Sequence, residues 1–126
     1  MRSIISLLFL GMLFSSNADA VYLRYCSNLG NTFSIGFGFC VNSNFSDISR
    51  ALGQGIYLRS CNNSSSTGVS MFYQQCVNEN FSRIGDSLEN QVYFRYCNNL
   101  NNNEVSWNFV SCLNENFDRV ERELIN

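Results

Sequence analysis

One segment is written three times in this chain. Val21-Tyr22-Leu23-Arg24-Tyr25-Cys26 opens the first copy, Ile56-Tyr57-Leu58-Arg59-Ser60-Cys61 the second, and Val92-Tyr93-Phe94-Arg95-Tyr96-Cys97 the third. Cys26 and Cys61 are 35 residues apart, Cys61 and Cys97 are 36, and Cys40, Cys76 and Cys112 follow one another at intervals of 36. A unit this short cannot bury an apolar face alone, so the copies must pack on one another. The expected organisation is a leader over 1–20 and a single domain over 21–126, made of repeats 21–55, 56–91 and 92–126.

The leader is read from its own pattern. Arg2 supplies a positive start, Ile4 to Phe14 is an apolar run, and Ala18-Asp19-Ala20 is a small-x-small cleavage site, as in a secretory signal peptide. That run is well short of the roughly 20 residues needed to cross a bilayer, so no stable membrane insertion is expected. All six cysteines lie beyond it, two in each copy. An even count in a short exported chain points to disulfides and an extracellular or periplasmic location. With no histidine and no C-x-x-C, a metal site is not expected.

Within a copy, the opening run alternates β-branched and aromatic residues with polar ones, which reads as a half-buried strand. Polar stretches rich in Gly, Asn and Ser follow, at Ser27–Thr32, Asn62–Gly68 and Asn98–Glu104. The recurrent Asn28, Asn63 and Asn99, two residues after the first cysteine of each copy, suit a turn role. Phe33, Ile35, Phe37 and Phe39, with Val105, Trp107 and Phe109 in the third copy, alternate like a second strand. The period then lengthens: Phe45-Ile48-Leu52, Phe81-Ile84-Leu88 and Phe117-Val120-Leu124 each form one stripe of a short helix. Asn42, Asn78 and Asn114, or Asn44, Asn80 and Asn116, would cap it. Glu79 and Glu115 would sit at its positive end. The expected fold is α+β: three strand-loop-strand-helix repeats in one disulfide-stabilised domain, with an all-β arrangement as the alternative.

Equivalent copies leave two simple disulfide schemes. One pairs cysteines within copies (Cys26–Cys40, Cys61–Cys76, Cys97–Cys112). The other joins Cys40–Cys61 and Cys76–Cys97 and closes a ring through Cys26–Cys112. The first is favoured; each loop of about 15 residues would stabilise by roughly 3 kcal/mol.

Charge and composition exclude several functions. Beyond the leader there are seven arginines, no lysine and nine acids, without a basic stripe able to neutralise several phosphates. Nucleic acid is therefore not an expected partner. Without histidine or lysine there is no Ser-His-Asp, Cys-His or Ser-Lys machinery and no Schiff base. Paired carboxylates could still serve a glycosidase. The candidates are Asp47, Asp86, Glu89, Glu104 and Asp118, which mostly read as solvated charges, so the chain is expected not to be an enzyme and to need no cofactor.

The pointed polar feature is Tyr-x-Arg-x-Cys: Tyr22 with Arg24, Tyr57 with Arg59, and Tyr93 with Arg95. Arginines on one strand face could bind a carboxylate, a sulfate or a sialylated glycan, because a guanidinium fork suits planar anions. Each could equally pair with a helix acid. The variable Asn-rich loops are a second candidate surface. Glycosylation sequons stand at Asn44, Asn62, Asn63 and Asn80, with Asn62 and Asn63 the expected sites in a eukaryote.

Cys-x-Asn, with a second Cys fourteen or fifteen residues after the first, resembles the opening of the cyanovirin-type lectin repeat over about sixteen residues per copy. These repeats are too short for that fold's later strands and lack its Asp-Gly turn. The resemblance implies sugar binding. The expected function is a secreted binding protein for an extracellular glycan or protein surface. A secreted effector (a defence protein, toxin or enzyme inhibitor) is the alternative, and a matrix or coat protein a third.

Overall fold

The structure, a computed structural model, describes residues 21–53 and 55–125. The leader expected over 1–20 lies outside them. Three helices carry the fold: α1 (Ile35–Leu52), α2 (Met71–Ser87) and α3 (Trp107–Ile125). An arm and a loop precede each. Among the described residues there is no strand or sheet, so both the α+β expectation and its all-β alternative are overturned. The chain is all-α.

The second expected strand is the first part of each helix. Alternation of Ile35, Phe37 and Phe39 suggested a period of two, yet only Phe37 is buried, while Ile35 and Phe39 are 90% and 68% exposed. The inward stripe is Phe37, Val41, Phe45 and Ile48 in α1, Tyr73, Val77, Phe81 and Ile84 in α2, and Phe109, Leu113, Phe117 and Val120 in α3. Steps of four, four and three residues keep one helical face on the core. Ser34, Ser70 and Ser106 start the helices by accepting hydrogen bonds from the N–H groups of Phe37, Tyr73 and Phe109 at 3.2, 3.2 and 3.3 Å. Helices of 17 to 19 residues replace the expected two turns.

Corresponding residues meet at two levels. Phe45, Phe81 and Phe117 form a closed triangle with ring centroids 5.2, 5.1 and 5.0 Å apart. One level towards the helix starts, Tyr73 lies 6.3 Å from Phe109, and Phe33 joins Phe37 and Tyr73 edge-on at 5.4 and 4.9 Å. Matching order at both levels means that the helices run in the same direction. Offset and edge-on aromatic pairs of this kind add about 0.5–1.5 kcal/mol each beyond their burial. A local exchange of volume accompanies Phe33. A side chain at Gly38 would press on its ring at 3.1 Å, whereas the other copies carry the smaller Val69 and Val105 opposite Gln74 and Val110.

The asparagines expected as caps are inside the helices. In each helix they stand two residues apart, about 200° around the axis, and so reach opposite flanks. Asn44, Asn80 and Asn116 each accept from the N–H and donate to the C=O of the arginine in their own arm, Arg24, Arg59 and Arg95, at 2.8–3.3 Å. Asn42 and Asn78 make the same paired contact with Cys61 and Cys97 of the following copy, at 2.7–2.9 Å. Asn114 returns to Cys26 of the first copy, with both bonds at 2.7 Å, closing the three copies into a ring. An arm thus lies between two helices whose side-chain amides stand in for neighbouring strands.

Disulfides join Cys26–Cys40, Cys61–Cys76 and Cys97–Cys112, with Cα atoms 5.6–5.7 Å apart. Each ties an arm to its own helix. Asn28, Asn63 and Asn99 organise the loops, accepting from Ser34, Ser70 and Ser106 N–H at 2.7–2.8 Å and donating to loop carbonyls. Adjacent loops touch around the ring: Phe33 N–H donates to Thr67 O and Val105 N–H to Asn31 O. Gly68 sits so close to the Asn102 carbonyl that a Cβ would collide with it.

Two outcomes follow from this architecture. Asn114→Ala would strand the buried N–H and C=O of Cys26 and is expected to destabilise by about 2–4 kcal/mol. Arg95→Ala, which removes an exposed ion pair to Glu115, should cost less than about 1 kcal/mol. Equal denaturant midpoints for the two variants would contradict the ring-closing role. The second outcome concerns Tyr73, whose hydroxyl is buried without a hydrogen-bond partner. Burial pushes its pKa above the ordinary phenol value. Tyr73→Phe should therefore stabilise by about 1 kcal/mol. Above about pH 10 the unfolded phenol ionises while the folded one stays protonated. Wild-type stability should then fall as pH rises, by up to about 1.4 kcal/mol per pH unit, and Tyr73→Phe should remove that part of the loss. Unfolding curves at about pH 8 and about pH 11 check this; identical pH dependence in both proteins would refute it.

Candidate functional site

The Tyr-x-Arg-x-Cys arms keep their tyrosines outside: Tyr22, Tyr57 and Tyr93 are 74%, 69% and 77% exposed. Their arginines take two different situations. Arg59 pairs with Glu79 at 2.8 Å, and Arg95 pairs with Glu115. The two acids expected at a helix start sit mid-helix, between the paired asparagines, and serve these guanidinium groups. In the first copy that place is occupied by Ser43, and Arg24 forms no ion pair among the described residues.

Each arm borders a groove against the helix of the neighbouring copy. Residues Tyr57–Ser60 face Asn42, Phe45 and Ser49 of α1 across a groove of about 420 Å³. Val92–Tyr96 face α2 across about 230 Å³, and Leu23–Tyr25 face α3 across about 90 Å³. Drug-sized ligand sites usually hold about 300–1,000 Å³, so of these three arm grooves only the one on α1 reaches that scale. The three arginines border three separate grooves and do not form one cluster. Beside Arg24, the α3 side brings Asp118 and Glu121; Asp118 pairs with Arg122, and Glu121 accepts from Leu23 N–H at 2.9 Å.

A fourth groove, about 340 Å³, lies where the first loop meets the start of α3, between Asn28, Asn31, Glu104, Ser106 and Trp107. Trp107 is 76% exposed, although its sequence alternation placed it with buried Phe109. On a helix, residues two apart point about 200° away from each other, so burying Phe109 turns Trp107 outward. Asn28, Asn31 and Glu104 belong to the polar loops that the sequence offers as a second candidate surface, whereas Trp107 lies outside those loops. The signal was there: Trp107 is the lone tryptophan and occupies the place of Ile35 and Met71, both also exposed.

Of the acids weighed for glycosidase chemistry, Asp47 pairs with Arg50 and Asp118 with Arg122, each one turn along its own helix. Asp86 accepts from Gln91 at 2.8 Å. Glu104 stands in the loop before α3 rather than on a helix face, and Glu89 follows the end of α2. Three disulfides suit an oxidising compartment. Among the described residues no helix is long and apolar enough to cross a membrane.

No protein-family model, curated protein or solved structure matches this chain. The stretch that resembles the cyanovirin-type repeat turns into helix from Ile35 onward, so that likeness does not extend to its strands.

Burial sorts the four sequons. Asn44 and Asn80 are fully buried, with both ends of each amide engaged. Asn63 spends its amide on Ser65, Gly68 and Ser70. Asn62 is exposed and makes no side-chain hydrogen bond among the described residues. Secreted from a eukaryotic host, the folded protein should carry N-glycan at Asn62 alone, checked by glycopeptide mass spectrometry. Asn62→Gln should abolish the gel shift, and glycan recovered at Asn44 or Asn80 of folded protein would contradict the burial.

Proposed function

We propose that this protein is an exported, non-enzymatic binding module that recognises glycans. One observation carries the reading: the frame uses its asparagines internally and leaves aromatic rings outside. Tyr22, Tyr25, Tyr57, Tyr93 and Tyr96 are 62–77% exposed, and Trp107 and Phe72 are 76% and 75% exposed elsewhere on the surface. Burying so many rings on folding would have been favourable by roughly 1.5–3 kcal/mol for each large apolar side chain. Folding leaves that gain unused, and a partner that covers the rings would obtain it. Around them lie Asn, Ser and Gly loops with few charges. Tyr, Ser, Gly and Asn are the residues enriched in antibody recognition loops, where rigid rings supply contact area and small polar groups adapt.

A disulfide in each copy and the ring of asparagine bonds support this surface by limiting the ordering cost of binding. Glycans suit it better than an anionic polymer, because two of the three arm arginines are already paired. In this reading Tyr22, Tyr57 and Tyr93 supply stacking faces, and Arg24, Arg59 and Arg95 supply donors at the groove edges. Several weak sites on one rigid body would add avidity towards a multivalent glycan.

A glycan array probed with the oxidised mature chain tests the proposal. The expected result is selective binding that weakens at least about tenfold in the triple variant Tyr22→Ala, Tyr57→Ala, Tyr93→Ala. These side chains are exposed, so the variant should fold, which circular dichroism verifies. Absence of binding to every glycan, with the wild type folded and oxidised, would overturn the reading.

A further inference from the structure

The groove between the first loop and the start of α3 combines an exposed indole with polar side chains that the frame does not use. Asn28 spends its amide on Gly30, Thr32 and Ser34, and the Ser106 hydroxyl caps α3. Those two build the wall. Asn31 contributes its carbonyl to Val105 N–H at 2.8 Å, but its side-chain amide has no partner among the described residues. The half-buried Glu104 carboxylate likewise takes no ion pair or hydrogen bond there. Beside them stands the exposed indole of Trp107, with Val105 and Val110 lining the groove.

We propose that this groove is a saccharide site that takes one end of a neutral glycan, with a sugar ring stacked on Trp107. The proposal rests on the glycan-binding reading above and places its most selective contact away from the arms. A pyranose ring presents C–H groups on one face and hydroxyls around its edge. The first match is the indole, a large apolar surface that folding leaves uncovered. Hydroxyls then donate to the Glu104 carboxylate, an acceptor-only group with room for two, while the Asn31 amide can donate or accept. The 340 Å³ volume falls within the range of small-molecule sites. The Val105–Asn31 bond and the Asn28 and Asn99 turns hold the walls in place before binding.

Charge selects the sugar. Glu104 is the lone ionisable group lining the groove, so a sialic or uronic acid would meet repulsion. The corresponding position in the other copies is Ile35 or Met71, neither of which offers an aromatic face. The tryptophan site is therefore expected once per chain.

The chain's single tryptophan makes the site its own reporter. Titrate the oxidised protein with chitotriose, mannotriose, cellotriose and lactose, and with sialyllactose as the acidic counterpart, following tryptophan emission. At least one neutral sugar should give a saturable shift with one site per chain, and sialyllactose should bind at least about tenfold more weakly than lactose if lactose binds. For the responsive sugar, calorimetry should show binding lost in Trp107→Ile, the residue type of the first copy, and weakened about tenfold in Glu104→Gln and Asn31→Ala. Circular dichroism and unchanged denaturant midpoints show that these variants fold. If the array shows glycan binding but emission stays flat and Trp107→Ile binds like wild type, the site is wrong and the broader function stands. If neither the array nor the titration shows binding, both fall. Loss of a dimer in Trp107→Ile, with no sugar effect, would instead make this face a self-contact and overturn the proposal.

Discussion

Everything in this structure leans on one paired contact: an asparagine side chain bonding the N–H and C=O of a single backbone residue. An arm without regular structure, packed against helices, would otherwise bury polar groups that no sheet satisfies, at a cost of about 1–3 kcal/mol for each. The amide of asparagine carries both a donor and an acceptor in one plane and so replaces a strand neighbour. Two such residues on opposite flanks of a helix attach that helix to two arms. Repeated three times, the attachment has to close, and Asn114 closes it across 88 residues of sequence. The aromatic triangle then fills the space that the ring encloses.

Equivalence between copies separates the frame from what varies on it. The paired asparagines, the helix-capping serines, the turn asparagines and the central phenylalanines hold equivalent places in all three. Departures from that equivalence are fewer and have local causes or local consequences. Phe33 with Gly38 exchanges volume between neighbours. Ser43 leaves Arg24 without the acid found in the other copies. Trp107 stands where the other copies have Ile35 and Met71, beside the groove that Asn31 and Glu104 line. The last of these departures adds an aromatic face where the frame has no need of one.

Much of the frame was legible in the residues: three copies, apolar stripes over Phe45-Ile48-Leu52 and its counterparts, and the turn role of Asn28, Asn63 and Asn99. The length of the helices was not. Phe33, Ile35, Phe37 and Phe39 alternate as a strand would, and two glycines weaken helix propensity there. Packing overrode that preference, because Phe37 and Val41 extend the buried stripe of Phe45 and Ile48 back by two turns. The same preference conceals Trp107, since a strand phase puts Trp107 and Phe109 on one side and a helix phase puts them on opposite sides. The asparagines read locally as helix caps, yet they stand inside the helices. Capping is a local preference, whereas their partners lie 19 to 21 residues away, or 88 for Asn114, and no local pattern displays such a partner.

The sequence by itself determined that three equivalent units share one core, that six cysteines serve them in pairs, and that the loops between are polar and free to differ. These properties follow from residue type and spacing, which need no knowledge of neighbours. Tertiary structure decided that the chain is helical, that arms are satisfied by side-chain amides, and that the arm tyrosines and the tryptophan face outward while Tyr73 is buried. Each of those outcomes depends on which backbone groups and which faces come together in space. A buried polar group can be satisfied by a strand or by an asparagine equally well, and only the packed copies choose between them.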